Sequence, residues 1–145
     1  MKKLVFLINF FLLQFALTFI SCEKEKTIEE LLIGKWDVVF ERYTTYQNNV
    51  ITSDDFYTND PGDFILEFFK DGTGKFYEYS VVSSNFSWEV TSDEKLIVTY
   101  SSETPHEVEF TVNKNSLTWG MTISYTINGI EYKAVDYKEC TRIKS

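Results

Sequence analysis

The residues able to do chemistry are few and widely spaced. His106 is the only histidine, so any histidine-based triad must use it. It follows Pro105 and sits between acidic neighbours, Glu103 and Glu107, which reads as a surface residue and not as a general base. A zinc site on His106 would need several carboxylates or Cys140 around it. Asp54, Asp55, Asp60 and Asp63 are hard oxygen donors, but their spacing follows no calcium loop, and Asp is common in turns. No phosphate loop, nucleotide fingerprint or Cys/His spacing is present. The sequence implies no enzyme, no metal and no cofactor.

The second group of candidates is aromatic. Rings make up 17% of the chain, above ordinary usage, and Pro is rare. Trp36, Phe40, Phe68, Trp88, Phe110, Trp119 and Tyr125 fall on inward phases of alternating segments, as do Phe64 and Phe86. Such rings can line an apolar cup for a small hydrophobic ligand, or they can simply fill a core. Both readings stand at this stage.

Strands must position these rings. Thr27 and Glu30 have the spacing of a capping box ahead of Leu31, Leu32 and Ile33, which predicts a short helix stopped near Gly34. The first strand runs from Trp36 to Gln47, and Asn48-Asn49 turns the chain. Residues 50–62 read as a long irregular loop. Phe64, Leu66 and Phe68 mark the second strand, and Asp71-Gly72 leads into a third over 73–82. The fourth to sixth strands carry Phe86, Trp88 and Val90, then Leu96, Val98 and Tyr100, then Val108, Phe110 and Val112. The seventh, 117–127, alternates most cleanly, with Leu117, Trp119, Met121, Ile123, Tyr125 and Ile127 on one face. Asn128-Gly129 then makes a two-residue hairpin into the eighth strand, 130–143, whose phase changes near Val135-Asp136 as at a bulge. The fold expected is all-β: an eight-stranded up-and-down antiparallel barrel with a short N-terminal helix. Eight strands leave an interior that side chains fill or that holds one small ligand.

Gly34-Lys35-Trp36, after a short helix and before a β meander, resembles the Gly-x-Trp signature that opens the first strand of lipocalins. The resemblance implies a structural role for Gly34 and Trp36, and a basic residue on a late strand stacked across that tryptophan. Arg142 is placed to supply it, the plain alternative being an exposed terminal arginine. The chain lacks a Thr-Asp-Tyr-like motif and a helix before the last strand. It looks more like the compact lipocalin-like domains of anchored bacterial lipoproteins, for which the resemblance implies a fold more firmly than a ligand.

Residues 1–21 read as a lipoprotein signal peptide. Lys2 and Lys3 precede an apolar run from Leu4 to Ile20, and Phe19-Ile20-Ser21-Cys22 resembles the lipobox of bacterial lipoproteins. That resemblance implies that Cys22 is acylated, because only a thiol takes the thioether-linked diacylglycerol. It further implies palmitate-type acylation, a lipid bilayer as partner, and a place in the cell envelope, at the outer membrane. Cys140 then has no intrachain partner and fills a strand position, whereas cleavage elsewhere would leave a Cys22–Cys140 disulfide open. Residues 22–26 form a charged tether, and 27–145 the barrel domain. Removing Lys2 and Lys3 takes the formal charge from −8 to −10, which argues against nucleic acid as a partner. Two functions of different class follow. One is a small-molecule binding module. The other is a filled barrel whose loops at 50–62 and 101–105 contact a protein or glycan, with Tyr43, Tyr46, Phe56 and Tyr57 exposed.

Overall fold

The computed structural model describes residues 25–101 and 104–144. Among these described residues one helix, α1 (Ile28–Leu32), precedes nine antiparallel strands. These are β1 (Gly34–Gln47), β2 (Val50–Thr58), β3 (Phe64–Phe68), β4 (Thr73–Glu78), β5 (Val81–Ser92), β6 (Lys95–Tyr100), β7 (His106–Val112), β8 (Ser116–Ile127) and β9 (Ile130–Arg142). The order around the sheet is β1-β3-β4-β5-β6-β7-β8-β9, and β9 pairs back onto β1. The result is the expected closed eight-stranded antiparallel barrel. Closure leaves no edge within the ring.

The ninth strand corrects the reading of 50–62 as irregular. β2 pairs with the outer half of β1 from Phe40↔Thr58 to Gln47↔Val50. Asn48 and Asn49 both adopt positive φ and make the tight turn between the two. β2 shows no apolar alternation because nearly all of it is exposed. Asp54 is accommodated by Arg42, 2.7 Å away across the hairpin, and by the Thr44 hydroxyl. This pairing holds the Asp54 carboxyl down at about 2. The strand expected over 73–82 is also divided. Tyr79 and Ser80 take positive φ and reverse the chain between β4 and β5 without the usual Gly or Asn.

The bulge lies on the first strand and not on the last. β9 pairs with β8 without a break from Ser116↔Thr141 to Ile127↔Ile130. Against β1, its register jumps between Val38↔Cys140 and Phe40↔Glu139, so Val39 is the extra residue. Asn59 stabilises the bulge: its amide donates to the Val39 carbonyl at 3.1 Å, and its Nδ2 donates to the Val38 carbonyl at 3.0 Å.

The capping box forms as expected. Glu30 N donates to Thr27 Oγ1 and Thr27 N to Glu30 Oε2. Five helical residues are too few to be stable alone, so the far end is held by the barrel. Trp36 Nε1 donates to the Leu32 carbonyl at 2.7 Å. The Arg142 guanidinium donates to the carbonyls of Leu31, Ile33 and Lys114. Its Cζ also lies 4.0 Å from the centre of the Trp36 ring, the contact that the resemblance implied. A cation desolvated on an indole face contributes on the order of 2 kcal/mol. Gly34 makes the clasp possible, because it sits at φ +126° and a Cβ there would lie 2.9 Å from Arg142 Nη1. Gly34→Ala combines backbone strain with displacement of the guanidinium. Its expected cost is about 2 kcal/mol of unfolding free energy, measured by urea denaturation.

Candidate functional site

The closed end of the barrel is packed with rings. Trp36, Phe68, Phe86, Trp88, Phe110 and Trp119 all belong to one buried cluster with Leu32, Val38, Leu66, Leu96, Val98, Val108, Leu117 and Cys140. Phe68 is central: its ring centre lies 5.5 Å from Phe86, 5.6 Å from Trp88 and 6.0 Å from Trp119. Gly74, directly opposite Phe86, leaves the space that this ring occupies, since a Cβ would come within 2.3 Å of it. The Trp88 indole donates to the Thr73 carbonyl at 2.9 Å. Among the described residues no buried side-chain nitrogen or oxygen lacks a hydrogen-bond partner. Five of the seven rings proposed from sequence to line a cup thus pack against one another.

The other two are elsewhere. The Val39 bulge turns Phe40 to the outer wall, where it borders a groove of about 510 Å³ with Arg42, Thr44 and Tyr137. Tyr125 lies beyond the barrel on the outer half of β8, 51% exposed and stacked on Tyr132 at 5.3 Å. Ile123 and Ile127, expected inside with it, are exposed too. The alternation of 117–127 is real, but the ring of strands ends near Met121, where β7 stops pairing with β8. Cys22 lies outside the described residues.

The bulge has a second consequence: Glu41 and Tyr43 now share the inner phase. Register places Glu41 opposite Lys138 and Tyr57, and Tyr43 opposite Asp136. Lys138 in turn lies opposite Trp119 on β8, at the top of the packed rings. These residues form one wall of an open cleft of about 510 Å³ at the barrel mouth. Phe64 and Tyr79 form the facing wall, with ring centres 5.5 Å apart, and Phe64 stacks on Phe76 at 6.1 Å.

Charge at the cleft is concentrated in a triad. Lys138 Nζ donates to Glu41 Oε2 at 2.5 Å and to Asp136 Oδ1 at 3.0 Å. The three side chains are 15%, 21% and 24% exposed. Burial is the largest effect on the ammonium and would lower its pKa. The Asp136 charge and the hydrogen bond and charge of Glu41 together outweigh it, so the pKa is raised and Lys138 stays charged. Two carboxylates against one ammonium leave the cleft with a net negative charge. Asn59 Nδ2 also donates to Glu41 Oε1 at 2.9 Å, so Glu41 is held from two sides.

Position by position, sequence reasoning missed Glu41, Asn59, Asp136 and Lys138. A signal existed, because charged residues on the inward phase of β9 are what made its alternation change near Asp136. Asp54 and Asp55 are engaged by Arg42 and Ser53. Among the described residues no group of three or more His, Cys, Asp or Glu side chains could hold a metal ion. No protein-family model matches the chain, and no curated protein matches it.

Two outcomes follow. Lys138→Met leaves Glu41 and Asp136 unpaired at close quarters. The expected loss is about 2 kcal/mol, discounted for partial exposure, and Glu41→Gln in the same chain should restore much of it in urea denaturation. Burial pushes the Cys140 thiol up to about 12, so it holds almost no thiolate at pH 8. Peptide mapping after iodoacetamide treatment should find Cys140 unmodified in the folded chain and modified in urea.

Proposed function

We propose that this chain is a lipid-anchored envelope lipoprotein whose lipocalin-like barrel is a non-catalytic binding module, with its ligand held at the mouth. The observation that carries this reading is the contrast between the two ends of the barrel. The rings at the helix end are packed against each other, whereas the mouth is an open cleft between tyrosines and an ionic triad. The ligand that fits best is small and amphipathic. Its apolar body meets Tyr43, Tyr57, Phe64 and Tyr79, and a polar or cationic head meets the net negative triad.

The direction of the barrel supports the same reading. The described chain enters at the helix end, where Arg142 and Trp36 close the structure. An anchor on Cys22 joins at that end through the short charged tether. The cleft then opens away from the bilayer, toward water. Lys2, Lys3, the apolar run and the lipobox-like Phe19-Ile20-Ser21-Cys22 support the anchor, and an outer-membrane address goes with it. A second reading has the same module contacting a protein or glycan through the β1–β2 hairpin. It is favoured by Phe56, 70% exposed beside Arg42, and by the exposure of Tyr43 and Tyr57.

Intrinsic tryptophan fluorescence tests the cleft, because Trp119 lies opposite Lys138 at its base. Titration with dodecylamine should give a saturable change, and dodecanoate should bind more weakly because of the excess carboxylate. Tyr43→Ala with Tyr57→Ala should weaken amine binding about tenfold without loss of folding. Absence of any saturable change, together with no bound amphiphile in native mass spectra, overturns the small-ligand reading and moves the question to the hairpin.

A further inference from the structure

The chain has six glycines, and the fold accounts for five of them. Gly34, Gly62, Gly72 and Gly129 take positive φ, and a Cβ on Gly74 would strike the Phe86 ring. Gly120 is the exception. It lies inside β8 without positive φ, opposite Glu109 on β7 and Tyr137 on β9. Its two chain neighbours aside, one atom among the described residues comes within 4 Å of a Cβ built there. That atom is the Glu109 carbonyl oxygen at 3.7 Å, an ordinary contact. The Tyr137 ring therefore does not lie against the glycine, and the fold would accept a side chain. A strand favours β-branched residues at such a place and is weakened by glycine. A mid-strand glycine that the fold does not need marks a place where something else approaches the backbone.

The space over Gly120 is a groove of about 380 Å³ on the outer wall, bordered by Lys95, Glu109, Thr111, Thr118 and Tyr137. Tyr137 also borders the outer groove that Phe40, Arg42 and Thr44 line. Register sets Lys95, Glu109, Gly120, Tyr137 and Arg42 in one row across five strands. The two grooves are neighbours along that row, and the half-buried Tyr137 is the ridge between them. Its hydroxyl donates to Glu139 Oε1 at 3.2 Å. We propose that this row binds a linear, uncharged oligosaccharide, with one sugar ring over Gly120 and the chain crossing Tyr137. The chemistry of the walls selects that class. A sugar ring has C–H faces that pack on aromatic rings and hydroxyls that both donate and accept. Tyr137 and Phe40 meet the faces. The Thr111 and Thr118 hydroxyls, 2.7 Å apart, and the carboxylates of Glu109 and Glu139 meet the hydroxyls. Charges of both signs are interleaved along the row, which complements a ligand of many dipoles better than an ion of either sign. A peptide strand would need a sheet edge, and every strand of the row is paired on both sides. An acyl chain would desolvate the charged rim without pairing it. The site is separate from the mouth cleft: Arg42 and Tyr137 point outward where their neighbours Glu41 and Lys138 point inward.

The full-length chain, in a detergent without a sugar headgroup, is applied to a printed array of linear neutral and charged glycans. A hexasaccharide of each series that binds is then titrated by calorimetry. The expected result is saturable binding of at least one neutral series. Gly120→Val fills the groove with a side chain that the fold accepts. It should weaken binding about tenfold or more while the urea midpoint stays unchanged or rises. Tyr137→Ala should weaken binding to a similar degree. Ser87→Val, the same kind of change on the far wall, should leave it unaltered. Absence of binding to every glycan on the array, or binding confined to charged glycans, overturns the proposal. So does full binding by a folded Gly120→Val chain. A lowered urea midpoint in Gly120→Val overturns it as well, because the glycine is then required by the fold.

Discussion

The clasp between Arg142 and Trp36 is the contact on which the rest depends. It sits at one end of the β1–β9 ladder that closes the ring. The same guanidinium accepts no hydrogen bond and donates on several sides, which suits it to the carbonyls that a five-residue helix leaves open at its end. Trp36 takes the remaining Leu32 carbonyl and fills the barrel floor. One stacked pair thus ties the helix and the first layer of the core to the seam where the ring closes. Gly34 is required because any side chain there would occupy the place of the cation.

A single extra residue then divides the barrel into two environments. Below Val39 the inner phase of β1 is Trp36 and Val38, and the interior is hydrocarbon and indole. Above it the phase flips, and Glu41 and Tyr43 point where an apolar residue would have been expected. At the flip Asn59 donates to the carbonyls of both Val38 and Val39. Lys138 and Asp136 meet Glu41 because β9 continues without a break while β1 does not. The mouth is therefore polar and open, and the closed end is dry and full. The bulge is the reason that one barrel holds both.

Legibility followed physical locality. The capping box of Thr27 and Glu30 and the Asn128-Gly129 turn depend on residues a few positions apart, and both were readable. So were the buried faces of β3, β6 and β7, where one side meets the core and the other meets water. β2 was not readable, because both of its faces are solvated and no alternation is left to see. The Tyr79-Ser80 turn carries no Gly or Asn to announce positive φ. On β8 the period was clear but its meaning was not. Ile123, Tyr125 and Ile127 continue the pattern of Leu117 and Trp119 after the partner strand β7 has ended.

The sequence by itself determined the strand periodicity, the helix start, the turn chemistry at Asn-Gly and Asp-Gly, the glycine beside the tryptophan, and an acidic chain poor in catalytic groups. These are consequences of local backbone preference and of which faces must avoid water. Tertiary structure alone decided which rings are packed and which line a cleft. It also decided that Glu41 and Lys138, ninety-seven positions apart, form one ion pair, and that Ile123, Tyr125 and Ile127 are exposed. Those outcomes depend on register between strands, and a one-residue shift in register exchanges every inward side chain for an outward one.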